Sequence, residues 1–119
     1  MNHRRVLVAI LAVALVVGCT HSLAPSVAAA VASESNRLLR EHPRSGEIAR
    51  SQWPPSISAL DPERVYAAPE GLYICTSIRF VEERGFFVPN PTLPFVAERG
   101  IDPSYTPVAS GIFSYQLKG

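Results

Sequence analysis

Residues 72–88 read LYICTSIRFV, EERG and FFV in succession, and they decide the fold of this chain. Residues 72–81 are its longest β-like run, residues 82–85 are polar and end in glycine, and residues 86–88 are apolar again. A polar turn with a final glycine suits a type I turn followed by a bulge, because glycine accepts a positive φ at little cost. The stretch therefore predicts a β-hairpin that pairs residues 72–81 with residues 86–88.

The segments on either side of the hairpin predict further short elements. Residues 65–67 suit a short strand, and residues 111–118 alternate apolar and polar side chains as a closing strand does. Residues 53–60 predict a short helix led by Trp53, since proline is tolerated in a first helical turn. Residues 101–107 have no regular pattern.

An N-terminal helix is predicted over residues 26–41. His42 and Pro43 end it, because the residue before a proline avoids the α region. Its apolar stripe is thin, so a stalk beside the domain and a partly disordered tether are alternatives. The predicted fold class is α+β, with this helix, a short second helix and a small antiparallel sheet of three or four strands. The length allows one domain, residues 47–119, behind a tether and helix over residues 19–46.

The front of the chain has the pattern of a secretory signal. A pair of arginines precedes the unbroken apolar run of residues 6–17, which is too short to cross a bilayer comfortably. Gly18 and Cys19 close the run. Residues 1–19 thus resemble the type II signal peptide of bacterial lipoproteins, whose lipobox ends in a small residue and a cysteine. An uncleaved signal anchor and a twin-arginine signal are the alternatives.

The resemblance implies how the chain is held in the cell. It implies removal of residues 1–18, lipidation of the Cys19 thiol and acylation of the new amino group. Several acyl chains hold a protein firmly on a membrane. Because Thr20 is not aspartate, the resemblance implies the inner leaflet of the outer membrane, facing the periplasm, in a Gram-negative cell.

The charge balance gives no electrostatic argument for a nucleic-acid partner. The full chain has a formal net charge of +1. Without residues 1–18 it loses two of its eleven basic residues and none of its ten acidic ones, which leaves −1. A near-neutral chain lacks the basic footprint of a nucleic-acid-binding protein.

The sequence has little that predicts catalysis. With Cys19 lipidated, Cys75 is left single and suits a small buried hydrophobe in a β-like run, and His42 is the only plausible base for it. A Cys19–Cys75 disulfide is the alternative if the lipobox interpretation is wrong. The histidines have no metal-ligand spacing, and no phosphate-binding loop is present. We therefore predict no catalytic residue, no metal and no cofactor.

Binding is the remaining class of function. The two phenylalanines that follow the predicted turn must point to opposite faces of a strand, so a sheet covered on one side would expose one of them. The candidate partner surface comprises Glu82, Glu83 and Arg84 as a charged tip, with Phe86 and Phe87 beside it. Aromatic side chains that simply pack in a core are the alternative.

Three hypotheses about function follow. The first is a non-catalytic, protein-binding lipoprotein of the cell envelope, held by its lipid anchor. The second is an inhibitor or immunity-type periplasmic lipoprotein. The third is a small envelope enzyme that uses Cys75.

Overall fold

The structure is a computed structural model that describes residues 23–97 and 101–119. The predicted signal segment and Cys19 lie outside the described residues. The elements are α1 (Pro25–Glu41), β1 (Gly46–Glu47), a 3₁₀ turn (Arg50–Gln52), α2 (Pro55–Ser58), β2 (Arg64–Ala68), β3 (Gly71–Arg79), β4 (Glu82–Pro89), β5 (Ser104–Ala109) and β6 (Ile112–Leu117). The described part of the chain is mostly β, and α1 is its one long helix.

The helix α1 begins at Pro25 and ends before the His42-Pro43 pair. The backbone N–H of His42 donates to the Leu38 carbonyl oxygen at 2.9 Å, which closes the last turn. One face of the helix is buried, at helical spacing, through Ala28, Val31, Ser35 and Leu38. The apolar members of this face share one cluster with strand residues, so α1 belongs to the hydrophobic core. The division of the chain at residues 46 and 47 stays a prediction.

The six strands form one antiparallel sheet in the order β1-β2-β3-β4-β6-β5. The prediction of three or four strands is wrong, although the α+β class remains broadly compatible with this sheet. The additional strands lie where local sequence argues against them. The strand β1 has two residues and lies in a turn-rich stretch, and β5 contains Pro107. Proline is tolerated there because β5 is an edge strand, where one N–H row has no partner.

The predicted second helix is shorter than residues 53–60. The helix α2 has four residues, and Trp53 lies outside it in an extended conformation. The cause is local, since Trp53 and Pro54 each precede a proline and both avoid the α region. The indole N–H of Trp53 donates to the Ile48 carbonyl oxygen at 3.0 Å.

The strands β3 and β4 form the predicted hairpin, but the turn is elsewhere. Arg79 pairs with Glu82, so the turn residues are Phe80 and Val81. Residues 82–85 belong to β4 and are not a charged tip. The predicted turn at these residues is therefore wrong, because an apolar pair makes the turn while the polar residues pair in the strand.

Gly85 is required for a reason other than the one predicted. It is not among the glycines with positive φ. A Cβ at this position would overlap the backbone carbonyl oxygen of Ile74 on the neighbouring strand. The register of β3 and β4 shifts here between Cys75 and Ser77, so a bulge at Thr76 brings the two backbones together.

The sheet has two chemically different faces. The helix face meets α1 with aliphatic side chains, namely Val65, Ala67, Leu72, Ile74, Val88 and Ile112. The aromatic face carries Tyr66, Tyr73, Phe87, Tyr105, Phe113 and Tyr115, with Phe95 packed against them. Phe87 is fully buried on the aromatic face, and Phe86 is half-buried on the helix face.

Candidate functional site

The strand β4 divides the candidate partner surface between the two faces. Three alternate residues of this strand lie on the helix face and line one cavity, namely Glu82, Arg84 and Phe86. Glu83 and Phe87 lie on the aromatic face and are buried. The structure thus brings three of the five residues together and places the other two in the interior.

The cavity is an open trough of about 640 Å³ on the helix face. It lies over the part of β3, β4, β6 and β5 next to the hairpin turn, whereas the aliphatic cluster under α1 lies over the rest of that face. We call it the polar trough, and it is lined by Thr76, Ser77, Arg79, Glu82, Arg84, Gly85, Phe86, Ser104, Thr106, Ser114, Tyr115 and Gln116. Most of these side chains are polar, so the trough suits a ligand that is itself polar.

A hydrogen-bonded group of three side chains organises the trough. The Arg84 Nε donates to Glu82 Oε1 at 2.8 Å, and the Gln116 Nε2 donates to the same oxygen at 2.6 Å. The Arg84 guanidinium also forms an ion pair with Glu82 at 2.7 Å. Arg84 and Gln116 together hold the pKa of the Glu82 carboxyl below its usual range. The carboxylate is therefore charged and fixed before any ligand arrives.

Hydroxyl groups line the walls around this group. Thr76 Oγ1 donates to the Arg84 carbonyl oxygen and Ser114 Oγ donates to the Thr106 carbonyl oxygen, both at 3.4 Å. These bonds are long, so the hydroxyls can turn towards a ligand at little cost. The trough therefore offers a fixed charged centre and adaptable polar walls.

The aromatic face holds a buried carboxylate, Glu83, which the sequence had placed at an exposed tip. Glu83 is 8% exposed, and its Oε2 accepts hydrogen bonds from the hydroxyls of Tyr66 at 2.5 Å and Tyr115 at 2.6 Å. The Arg64 guanidinium lies 3.9 Å from the other carboxylate oxygen and 4.5 Å from the Tyr66 ring centre. Two hydroxyl donors and a nearby cation compensate the loss of solvent that burial costs a carboxylate.

A second hydroxyl chain lies on the same face. The Tyr73 hydroxyl donates to Glu70 Oε2 at 2.6 Å and lies 2.7 Å from the Tyr105 hydroxyl. Burial raises the pKa of Tyr66, Tyr73, Tyr105 and Tyr115. These tyrosines stay protonated at neutral pH and act as hydrogen-bond donors, which is what an interior network needs.

Cys75 lies on this face and is fully buried as a free thiol. Burial raises the pKa of the thiol, and the nearby Glu83 carboxylate raises it further. His42 is engaged elsewhere, with ring nitrogens 2.9 Å from the Leu38 carbonyl oxygen and 3.1 Å from Gln52 Oε1. The thiolate, which is the nucleophilic form, is therefore disfavoured. In residues 23–97 and 101–119 no group of histidine, cysteine and carboxylate side chains could hold a metal ion.

Comparisons with protein-family models, curated proteins and solved structures give no match for this chain. Within the described ranges, no helix is both long enough and apolar enough to cross a membrane. A proposal about function therefore rests on the residues of the polar trough and on the predicted signal segment.

Proposed function

We propose that this chain is a non-catalytic lipoprotein of the cell envelope that binds another protein through the polar trough. One observation carries the proposal, namely the group formed by Glu82, Arg84 and Gln116 on an open face of the sheet. An ion pair in solvent contributes little to stability, about 0–1 kcal/mol. Three side chains held together there do little for the fold and are better explained by a ligand.

The chemistry of the trough favours an extended polypeptide segment as that ligand. Peptide groups present one donor and one acceptor per residue. The trough offers hydroxyls on two strands that can serve as either, through Ser77 on β3 and through Ser104 and Thr106 on β5. The fixed Glu82 carboxylate and the Arg84 guanidinium add a charge of each sign, which sets the register of a polar partner.

The interior chemistry supports a binding role over a catalytic one. Cys75, the nucleophile of the enzyme hypothesis, is fully buried, and burial raises its pKa. Activated cysteines lie in partly exposed, electropositive surroundings. The buried Glu83 carboxylate accepts hydrogen bonds from two tyrosine hydroxyls, which is the arrangement of a structural acceptor.

The lipid anchor at Cys19 is the second part of the proposal. It rests on the short apolar run and the Gly18-Cys19 pair. Mass spectrometry of the protein purified from membranes is expected to show an N-terminal Cys19 with two or three acyl chains. Cys19→Ser is expected to block processing or release the protein from the outer membrane, and an intact Met1 terminus would contradict the anchor.

Site-specific photo-crosslinking tests the trough. p-Benzoylphenylalanine in place of Thr106, an exposed trough residue, is expected to give one defined protein adduct in intact cells. The matched control places the same group at Ser58, which is exposed on α2. Glu82→Ala combined with Arg84→Ala is expected to abolish the adduct while the protein level stays constant. An adduct that survives the double substitution, or that forms equally from position 58, would contradict the proposal.

A further inference from the structure

The turn of the β3–β4 hairpin exposes three apolar side chains. We call Ile78, Phe80 and Val81 the apolar apex. Their exposed fractions are 41%, 102% and 73%, so Phe80 is as open as in an unfolded peptide. Among the described residues no side chain covers it. An apex of this kind protrudes from the molecule instead of forming part of a flat surface.

The backbone at Phe80 makes this side chain costly. Its φ is +56°, in the left-handed region that glycine occupies freely and that bulky residues rarely adopt. A turn position with that φ normally carries glycine, asparagine or aspartate. Phe80 has no compensating contact with the residues that the structure describes, so we look for the reason for its aromatic ring outside them.

Two basic side chains lie close to the apex in the sheet. Arg79 and Lys118 are exposed next to it, and the carboxylate of Glu82 is engaged by Arg84. The backbone N–H of Lys118 donates a hydrogen bond to the Asp102 carboxylate at 2.7 Å. In the described ranges no carboxylate lies within 4 Å of the Arg79 guanidinium. An apolar tip with cations behind it is the arrangement of segments that lie in the interface of anionic bilayers.

We propose that the apolar apex inserts into the headgroup region of the bilayer and orients the domain on the membrane. The inference rests on the proposed anchor, which would keep the domain beside the membrane at a high effective concentration. Three apolar side chains are too few for a standard protein interface, which buries about 800 Å² on each partner. They are also too few to attach a soluble protein, but with an anchor in place they need only fix its orientation.

Tryptophan fluorescence in vesicles tests the apex. The full lipidated chain is reconstituted into vesicles of phosphatidylethanolamine and phosphatidylglycerol that contain brominated lipid, with wild type supplying the baseline emission of Trp53. Phe80→Trp is expected to add emission that is blue-shifted and quenched by the bromine atoms. The matched control is Leu93→Trp, because Leu93 is 49% exposed and follows the end of β4 away from the apex.

Phe80→Gly separates the membrane role from a role in folding. Glycine relieves the left-handed strain, so the melting temperature is expected to equal or exceed that of wild type. If the apex orients the domain, position 93 is held away from the lipid surface in wild type. In Phe80→Gly this constraint is lost, so a fluorophore at position 93 is expected to approach the lipid surface.

The outcomes distinguish the apex from the anchor. Flotation with vesicles reports the anchor alone. A chain that floats but whose Phe80→Trp emission is unquenched, or quenched no more than that of Leu93→Trp, overturns the apex and leaves the anchor standing. The same result is expected if the apex instead binds a pocket on another protein. If the chain lacks acyl groups, an N-terminal hexahistidine tag attaches it to nickel-chelating lipid, and the same quenching measurement still decides.

Discussion

The two faces of the sheet bury their side chains by different means. The helix face has aliphatic side chains that need a second layer, and α1 provides it. The aromatic face has no helix over it in the described chain, and its rings cover one another with centre-to-centre distances of 4.6 to 5.3 Å. Large rings exclude water with few residues, and tyrosine hydroxyls bring their own polar contacts into the interior. A short chain can therefore cover both sides of a sheet with a single long helix.

The difference also determines where polar groups can lie. On the aromatic face, Glu83 is buried because two tyrosine hydroxyls reach it. On the helix face, polar side chains begin where the aliphatic cluster under α1 ends, and they form the open trough. The buried carboxylate serves the fold and the exposed one, Glu82, is available for a partner.

The largest effect is expected from Phe87→Ala. Phe87 is fully buried, and its ring packs at a tilt against those of Tyr73, Phe95 and Tyr105. Truncating a core phenylalanine costs about 3–5 kcal/mol. Denaturant unfolding should show this loss, whereas Phe86→Ala should cost less because Phe86 is half-buried. Equal losses would mean that the two faces contribute alike.

Leu38→Ala tests the opposite face and is expected to cost about 3 kcal/mol, within the range for buried leucines. Leu38 is 1% exposed and joins α1 to the aliphatic cluster. Val27→Ala, at a position 39% exposed on the same helix, is the control and should change stability little. If Leu38→Ala melts like wild type, the helix does not cover the sheet as described.

Glu83→Ala is expected to cost about 2 kcal/mol, because it leaves the hydroxyls of Tyr66 and Tyr115 buried without their acceptor. Glu83→Gln keeps an acceptor oxygen and should cost less. The measurement is the free energy of unfolding in urea at pH 7. A Glu83→Ala variant as stable as wild type would show that this carboxylate is solvated.

A smaller loss is expected from raising the pH above about 10, the pKa of a free tyrosine. Burial holds the pKa of Tyr73 and Tyr115 above that value in the folded state. The unfolded chain then releases protons that the folded chain keeps, so stability is complete below about pH 10 and falls above it. Tyr115→Phe should weaken this dependence, and a pH-independent melting temperature between pH 8 and pH 11 would count against a buried tyrosine network.

The smallest effect is expected from Glu82→Ala, within about 0.5 kcal/mol of wild type, as for other surface positions. The side chain is about one-third exposed, and its ion pair with Arg84 faces solvent. The same substitution should weaken partner binding at the trough. A large loss of stability with unchanged crosslinking would assign Glu82 to the fold.

Sequence patterns predicted the elements whose signals are local. The helix α1 lies between a starting proline and the His42-Pro43 pair, and the β3–β4 hairpin pairs two apolar runs. The turn was misplaced because residues 82–85 have turn composition, whereas Phe80 and Val81 do not. Pairing with β6 along residues 83–87 outweighs that local preference. Pro107 similarly concealed β5, since nothing local marks it as an edge.

The candidate site could be predicted only in part. The sequence singled out the five candidate residues but placed three of them in a turn, and their division between two faces depends on the register of β4. Glu83 is placed on the same face as Phe87 once the strand is known to begin at residue 82. Its hydroxyl partners lie 17 and 32 positions away in the chain, and Gln116 lies 34 positions from Glu82. Contacts at that separation leave no local pattern.

The outer strands of the sheet affect how copies of this protein meet one another. An edge strand can pair with a strand of another chain, and natural proteins prevent this with short edge strands, prolines and bulges. One outer strand, β1, has two residues, and the other, β5, combines Pro107 with a register shift between Pro107 and Ala109. The proposed lipid anchor would confine copies of this protein to a membrane plane and so raise their local concentration. Because both edge strands are poor templates for pairing, this crowding should not start fibrillar aggregation.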